Sequence, residues 1–270
     1  MLRHLRRIGS LTSPHVRAVL SAALSGLAAV GCSRGFQPQG IKPPERLYEA
    51  TMREYQRKRW DNAVAGFERL TIDLPARDTL LPRAHYYLAK SHYNRKEYLL
   101  AAQSFGRVSE SFPDDTLADD ALFEAGASYQ RLWRKPVLDA EYGQSALSTF
   151  QTLLALYPNS PLRSPAEQRI QTLEEWMATK DYETGLHYMR LKAFDSAIIY
   201  FKDVVRLYPQ TARSRDAYLR LVQAYRTIHY REEATEACTA VRARFADDLE
   251  VRRTCGVDTA STGGSAKPTP

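Results

Sequence analysis

At 270 residues, with 44% apolar and 10% aromatic residues and only 13 Gly and 14 Pro, the chain is long enough to bury a sizeable core and is neither collagen-like nor low-complexity. The formal charge is +7, but Arg3, Arg6, Arg7 and Arg17 fall within the first 31 residues, which hold no acid, so the remainder carries only +3. That is too weak an electrostatic footprint for a nucleic-acid binder, and nucleic acid is not among the expected partners.

In chain order, the Arg-rich start gives way to the uncharged run Ala18 to Val30 (AVLSAALSGLAAV), followed by Gly31-Cys32. As a helix this run would measure about 20 Å, short of the ~30 Å hydrocarbon core, so residues 1–31 read as an export signal rather than a membrane span. Ala29-Val30-Gly31-Cys32 resembles the lipobox of bacterial lipoproteins, with Ala29 standing where Leu is usual. The resemblance implies cleavage before Cys32 and attachment of acyl chains, palmitate among them, to that cysteine. An ordinary secretory signal with an incidental cysteine is the alternative. Each buried methylene contributes ~0.8 kcal/mol, and several chains together anchor a protein firmly. Ser33, by analogy with bacterial lipoprotein sorting, does not retain the protein in the inner membrane as Asp would. The expectation is an outer-membrane anchor facing the periplasm. Residues 32–44, with three Pro and two Gly, read as the lipidated cysteine and a flexible tether. The end of the chain, 251–270, reads as a disordered tail.

Between tether and tail, 45–250, a pattern recurs: a small residue, an aromatic four later, an aliphatic seven later, a proline twelve later. It occurs at Ala63, Phe67, Leu70 and Pro75; Ala101, Phe105, Val108 and Pro113; Ala146, Phe150, Leu153 and Pro158; Ala197, Phe201, Val204 and Pro209. Offsets of four and seven share one helical face, and proline closes the helix. A partner helix precedes, with a small residue and a ring three later: Ala89 and His92, Gly126 and Tyr129, Gly185 and Tyr188. Trp60, Tyr98 and Phe194, three before the repeat Ala, read as core. A fifth unit, Val222, Tyr225, Ala234, Cys238 and Val241, lacks the closing proline. Ser164-Pro165-Ala166-Glu167 reads as a helix start with Ser164 as N-cap, and Asp114-Asp115-Thr116 as another capping stretch. With no sustained period-two alternation, the fold class is all-α. The phasing resembles the tetratricopeptide (TPR) repeat, implying a superhelical solenoid of about five helix-turn-helix units.

Two irregularities break the phase. The third unit carries about eight extra residues within 132–143, and 164–192 runs without a breaker, predicting one long helix. With the strings RLYEATMREYQRKRWDNAVAGFERL, LYPNSPLRSPAEQRIQTLEEWMATKDYETGLHYMRLKAF and RLYPQTARSRDAYLRLVQAYR, these features resemble the BamD family of lipoproteins in the outer-membrane β-barrel assembly machinery. The resemblance implies a non-enzymatic role: binding unfolded outer-membrane proteins and docking on the periplasmic domains of BamA, alongside other subunits of that machinery. A basic residue that the family can use for that docking appears here as Tyr200. A periplasmic TPR adaptor lipoprotein for envelope or peptidoglycan machinery is the alternative.

No phosphate-binding glycine loop, HExxH, GxSxG or CxxC motif occurs, and no two of the six His are spaced as helix-borne metal ligands. No enzyme, metal or cofactor is expected, and His92 reads as a packed core residue. Cys238 occupies the position of a repeat Phe, so it is either a small buried thiol or the partner of Cys255 in a disulfide. Arg57-Lys58-Arg59 reads as a solvated corner. In a TPR stack the first helices line one wall, at offsets of −3, +1 and +4 from the small residue. Counting from Thr51, Ala89 and Gly126 gives Tyr48, Met52, Tyr55, Tyr86, Lys90, Tyr93, Phe123 and Gln130, with Arg83 and Arg131 alongside. Either these rings pack between adjacent helices, or they receive the aromatic, carboxylate-bearing terminal segment of an unfolded barrel protein.

Overall fold

The computed structural model describes residues 35–136 and 138–256. Cys32, the signal segment 1–31 and the last residues, 257–270, lie outside them. The described residues before Lys42, 35–41, hold a 3-10 turn, Pro38–Gly40, and belong to a separate unit. The unit from Lys42 onward holds eleven helices among the described residues: α1 (Pro44–Gln56), α2 (Trp60–Asp73), α3 (Leu81–Asn94), α4 (Tyr98–Ser111), α5 (Ala118–Leu132), α6 (Glu141–Leu156), α7 (Arg163–Arg190), α8 (Phe194–Leu207), α9 (Ala212–Thr227), α10 (Arg231–Arg244) and α11 (Leu249–Cys255). No strand occurs among the described residues. Each helix packs on the next, and α9 also reaches α7, so the chain is a stack of helix pairs, a TPR-like solenoid.

The repeat register is the core. Ala63, Phe67, Leu70, Ala101, Phe105, Val108, Ala146, Phe150, Leu153, Ala197, Phe201 and Val204 are all fully buried on the second helices. The facing small residues make room for them. A Cβ added at Gly126 would stand 2.9 Å from the Phe150 ring, and one at Gly185 2.6 Å from that of Phe201. In the first unit the roles are exchanged: Thr51 is buried on α1, and Gly66 of α2 leaves the space for it. The prolines act as read. Leu74, Phe112, Tyr157 and Tyr208 are C-caps, and each directly precedes the repeat proline, where the helical conformation is disfavoured.

Inside four of the pairs the turn is the same. Lys58, Lys96, Lys192 and His229 have φ of 58°, 66°, 60° and 65°, each five residues before the repeat Ala. Their N–H groups donate to Tyr55, Tyr93, Met189 and Arg226. The next N–H reaches back to Glu54, His92, Tyr188 and Tyr225, the paired bonds of a Schellman cap. Lys58 is thus a left-handed turn residue, while its neighbours Arg57 and Arg59 pair with the buried Glu54 at 3.5 and 3.4 Å. Asn62 donates to the same carboxylate at 2.6 Å, and together these hold it below the usual range despite burial.

Several expectations are corrected. The long helix begins at Arg163, so Ser164 lies inside it. The turn before it is held instead by Ser160 Oγ, which accepts from Leu162 N–H at 3.0 Å and donates to Asp119 Oδ2 at 2.6 Å. Asp115 caps the turn before α5 by accepting from Leu117 N–H. Trp60, Tyr98 and Phe194 are half-buried rather than core. Residues 251–255 belong to α11 rather than to a tail. Val251 is buried with Leu219 and Val241, and the Cys238–Cys255 disulfide, with Cα atoms 5.4 Å apart, ties α11 to α10. Among the described residues, only α11 has an N-cap side chain that accepts helix N–H groups: Asp248 takes those of Glu250 and Val251.

Candidate protein-binding wall

The first helices touch one another along the stack. Tyr55 of α1 meets Tyr87 of α3 at 5.2 Å, Lys90 of α3 lies 3.6 Å from Glu124 of α5, and Gln130 of α5 accepts from Arg169 of α7 at 3.2 Å. The residues counted along these first helices fall into two groups.

In the first group the rings are structural. Tyr48 sits edge-on to Phe67 at 6.1 Å, Tyr55 edge-on to Trp60 at 5.3 Å, Tyr86 to Phe105 at 5.5 Å and Phe123 to Phe150 at 5.5 Å. Tyr86 is buried, and burial together with Asp120 and Glu124 raises its hydroxyl pKa. Lys90 spans the Tyr86 ring and Glu124, so its charge is countered. Arg83 is exposed. These positions do not form a cationic pocket.

The second group opens into one. Arg131 Nε donates to the Tyr93 hydroxyl at 3.1 Å, and around this bond lies an open cleft of about 420 Å³ lined by Tyr93, Gln130, Arg131, Trp133, Arg134, Arg169 and Trp176. Three guanidinium groups and three rings border it, with no carboxylate in the lining. Trp133 is buried, packs edge-on to Trp176 at 5.4 Å and has an indole N–H without a partner among the described residues. A Cβ at Gly143 would overlap its ring, so that glycine is what lets the inserted loop fold its tryptophan inward. Planar guanidinium groups beside aromatic faces are suited to a carboxylate attached to an apolar or aromatic side chain.

Sequence reasoning found Tyr93, Gln130 and Arg131 but missed Trp133, Arg134, Arg169 and Trp176. The first two lie where the insertion breaks the register. Arg169 and Trp176, seven apart on α7 and so on one face, precede Gly185 by far more than the offsets used, because α7, at 28 residues, is about three to four turns longer than the other first helices, which have 13 to 16.

Elsewhere the surroundings are those of packing. His92 is buried with Nδ1 2.8 Å from Glu97 Oε2. Tyr200 is stacked on Tyr188 at 5.4 Å and 12°, and Tyr188 first, with smaller contributions from Asp181 and Asp203, raises its hydroxyl pKa. Among the described residues there is no group of His, Cys, Asp and Glu able to hold a metal, and no helix is long and apolar enough to cross a membrane.

Stacked helix pairs with a continuous lateral wall make this a helical-repeat scaffold of the TPR type. Within that class the chain belongs to the YfiO family of outer membrane lipoproteins, whose family model matches residues 41–240. It is similar to the outer membrane protein assembly factor BamD of Caulobacter vibrioides, 24% identical over 237 residues covering 85% of this chain and 76% of that protein. The BamD of Vibrio cholerae is 25% identical over 219 residues, covering 76% and 90%. Among solved structures it is similar to the TPR domain of P58(IPK), with TM-score 0.43 and 13% identity over 78% of this chain and 54% of that one. A TPR protein of Thermus thermophilus, TTC0263, gives TM-score 0.35 and 19% identity over 79% and 97%.

Proposed function

We propose that this protein is a non-enzymatic assembly factor for outer-membrane β-barrel proteins, tethered through acylated Cys32 to the outer membrane and facing the periplasm. It binds unfolded barrel proteins and docks on the periplasmic domains of BamA. Membership in the outer membrane lipoprotein family supports the setting, and the relatives named as outer membrane protein assembly factors support the role. Docking on BamA does not use a basic side chain at position 200, since Tyr200 stands there.

The observation that carries the binding step is the acid-free arginine–tryptophan cleft between α5, the inserted loop and α7. A chain terminus ending in an aromatic residue would seat its ring against Trp176 and Tyr93 and its carboxylate among Arg131, Arg134 and Arg169. Charge-assisted hydrogen bonds of this kind contribute about 1.5–3 kcal/mol, roughly ten- to a hundredfold in affinity. The test is fluorescence anisotropy of a peptide ending in Phe, as free acid and as amide, against the full chain and an Arg131→Gln, Arg169→Gln variant of unchanged melting temperature. The wild type should prefer the acid, and the variant should bind both forms equally weakly. Equal affinity of the wild type for acid and amide would refute the site.

A further inference from the structure

The first three helix pairs turn on one edge of the stack. Residues 57–59 join α1 to α2, 95–97 join α3 to α4, and 133–140 join α5 to α6. These turns stand side by side. Arg95 Nε of the second lies 3.2 Å from Asp61 Oδ1 beside the first, and Arg131 Nε, beside the third, donates at 3.1 Å to the hydroxyl of Tyr93, beside the second. Because each helix reverses the direction of the one before, the loops between pairs, 74–80, 112–117 and 157–162, lie at the opposite edge.

The two edges differ in sign. The three turns hold seven Lys and Arg against Glu97 and Asp139, an excess of five, on a chain whose net charge beyond residue 31 is only +3. Counting two further residues on each side of every turn still leaves an excess of four. The opposite loops hold Arg77 against three Asp. The acids at the basic edge are engaged: Asp61 and Glu97 pair with Arg95, Asp139 accepts from Glu141 N–H at 3.1 Å, and the buried Glu54 takes up Arg57 and Arg59. Lys58, Lys96, Arg134 and Lys135 are exposed and form no ion pair among the described residues. Two of these charges are carried at a conformational cost, since Lys58 and Lys96 occupy left-handed positions that favour glycine.

Rings and exposed apolar side chains stand among the cations. Trp60 and Tyr98, half-buried, open α2 and α4, while Leu99, Leu100 and Leu138 are exposed. The other two of the chain's three tryptophans are Trp133 in the third turn and Trp176 packed on it. Exposed apolar side chains also occur near the opposite edge, Ile72 and Leu156, but the loops there carry net negative charge. Cations interleaved with rings and leucines suit the interfacial layer of an anionic bilayer, where headgroups take the charge and apolar side chains sink to the acyl boundary.

We propose that this edge lies against an anionic membrane surface and orients the solenoid on it, with Lys58, Lys96 and Lys135 at the headgroups. The proposal rests on the reading of Cys32 as acylated: the anchor holds the chain at the surface, where each cation favours contact by about fivefold. Residues 32–43 extend to at most about 40 Å, twice the about 20 Å of α1, so the basic end of α1 can reach the plane of the anchor. Because Trp133 and Arg134 also line the arginine–tryptophan cleft, this orientation holds that cleft beside the membrane.

The test reconstitutes the purified full chain in phosphatidylcholine vesicles, with or without about one third phosphatidylglycerol, containing a lipid with a nitroxide on its headgroup. Flotation with the zwitterionic vesicles reads the anchor separately. Tryptophan emission reads the edge, since quenching requires the rings to lie near the headgroups. Quenching should appear only with the anionic lipid and fade as salt rises from about 50 to about 500 mM, where the screening length falls to about 4 Å. The variant Lys58→Asn, Lys96→Asn, Lys135→Gln keeps side chains that the turns tolerate and leaves Arg134 in place. At an unchanged melting temperature its edge contact should weaken about a hundredfold and its quenching disappear. Equal quenching in the two kinds of vesicle, or by wild type and variant, overturns the proposal. If the chain does not float with zwitterionic vesicles, the acyl anchor fails and the edge is judged by flotation with the anionic ones: flotation that is absent or independent of the lysines overturns it. Salt-dependent binding of an acidic peptide with no lipid-dependent quenching reassigns the edge to a protein partner and likewise overturns the proposal.

Discussion

Glycine-to-alanine substitution at Gly185 and at Gly106 should have opposite signs, and the difference isolates what holds the repeats together. Both residues are interior to long helices, α7 and α4, where alanine is intrinsically favoured over glycine by about 0.5–1 kcal/mol. At Gly106 the only neighbour within 4 Å of a new Cβ is Glu110 Oε1, at 3.9 Å, so the gain should appear undiminished. At Gly185 the Cβ would stand 2.6 Å from one atom of the Phe201 ring and 2.9 Å from two more. That ring is fully buried and braced by Tyr182 at 5.6 Å, so it has no free direction in which to move. Overpacking of this kind costs about 1–3 kcal/mol, which outweighs the helix gain and leaves Gly185→Ala less stable by about 1–2 kcal/mol. In a chain of this size that is a fall in melting temperature of about 3–6 °C. Far-UV circular dichroism with heat and with urea reads both variants. Adding Phe201→Leu to Gly185→Ala should give a loss smaller than the sum of the two single changes, because the smaller side chain relieves the overlap. If Gly185→Ala is stabilised like Gly106→Ala, close helix approach through small residues is not what sets the repeat.

Phe105→Ala removes a fully buried ring from the second unit and should cost about 3–5 kcal/mol, read as an early loss of helical signal. An unchanged urea midpoint would contradict the nearest-neighbour core. Lys192→Gly replaces a residue at φ 60° with one that adopts this conformation freely and should stabilise by up to about 1 kcal/mol, whereas Lys192→Ala should not. Asp248 is pulled from its ordinary 3.8 to about 2 by the Arg215 hydrogen bonds first and by the backbone N–H groups of α11. Its folded value is lower than the unfolded one, so the stabilisation is complete above about pH 4 and is lost as pH falls through 2. A carboxyl NMR titration of Asp248 should show a midpoint near 2, and a midpoint at the ordinary value would mean that the clasp does not form in solution.

The solenoid was legible because its signals are local and repeated. Four Phe at one register, each with Ala, an aliphatic residue and a proline at fixed offsets, specify a helix face and its end without tertiary information. The turns were less legible. Glycine is the usual left-handed residue, yet Lys58, Lys96, Lys192 and His229 fill these positions, held by two backbone bonds each. Helix starts were misplaced where a residue outside the expected cap took over, as Ser160 did for Ser164. Of the candidate wall, Tyr93 and Gln130 were found by counting, with Arg131 beside them, but half of the cleft comes from the insertion and from the extended α7, where counting loses its origin. The rings at Tyr48, Tyr55, Tyr86 and Phe123 could be read from the sequence either as packing or as a groove, and the structure sets each edge-on to a ring of the second helix of its own pair. The disulfide was open in the sequence because a separation of 17 residues allows either state. What brings the two cysteines together is the return of α11 onto α10 through Val251.

The most direct test of the assembly role is depletion of this protein in its host, followed by semi-native electrophoresis of envelope fractions to measure folded β-barrel proteins. The account predicts that folded barrels fall and unfolded precursors accumulate in the periplasm, while other lipoproteins still reach the outer membrane. Undiminished levels of folded barrels after depletion would contradict it.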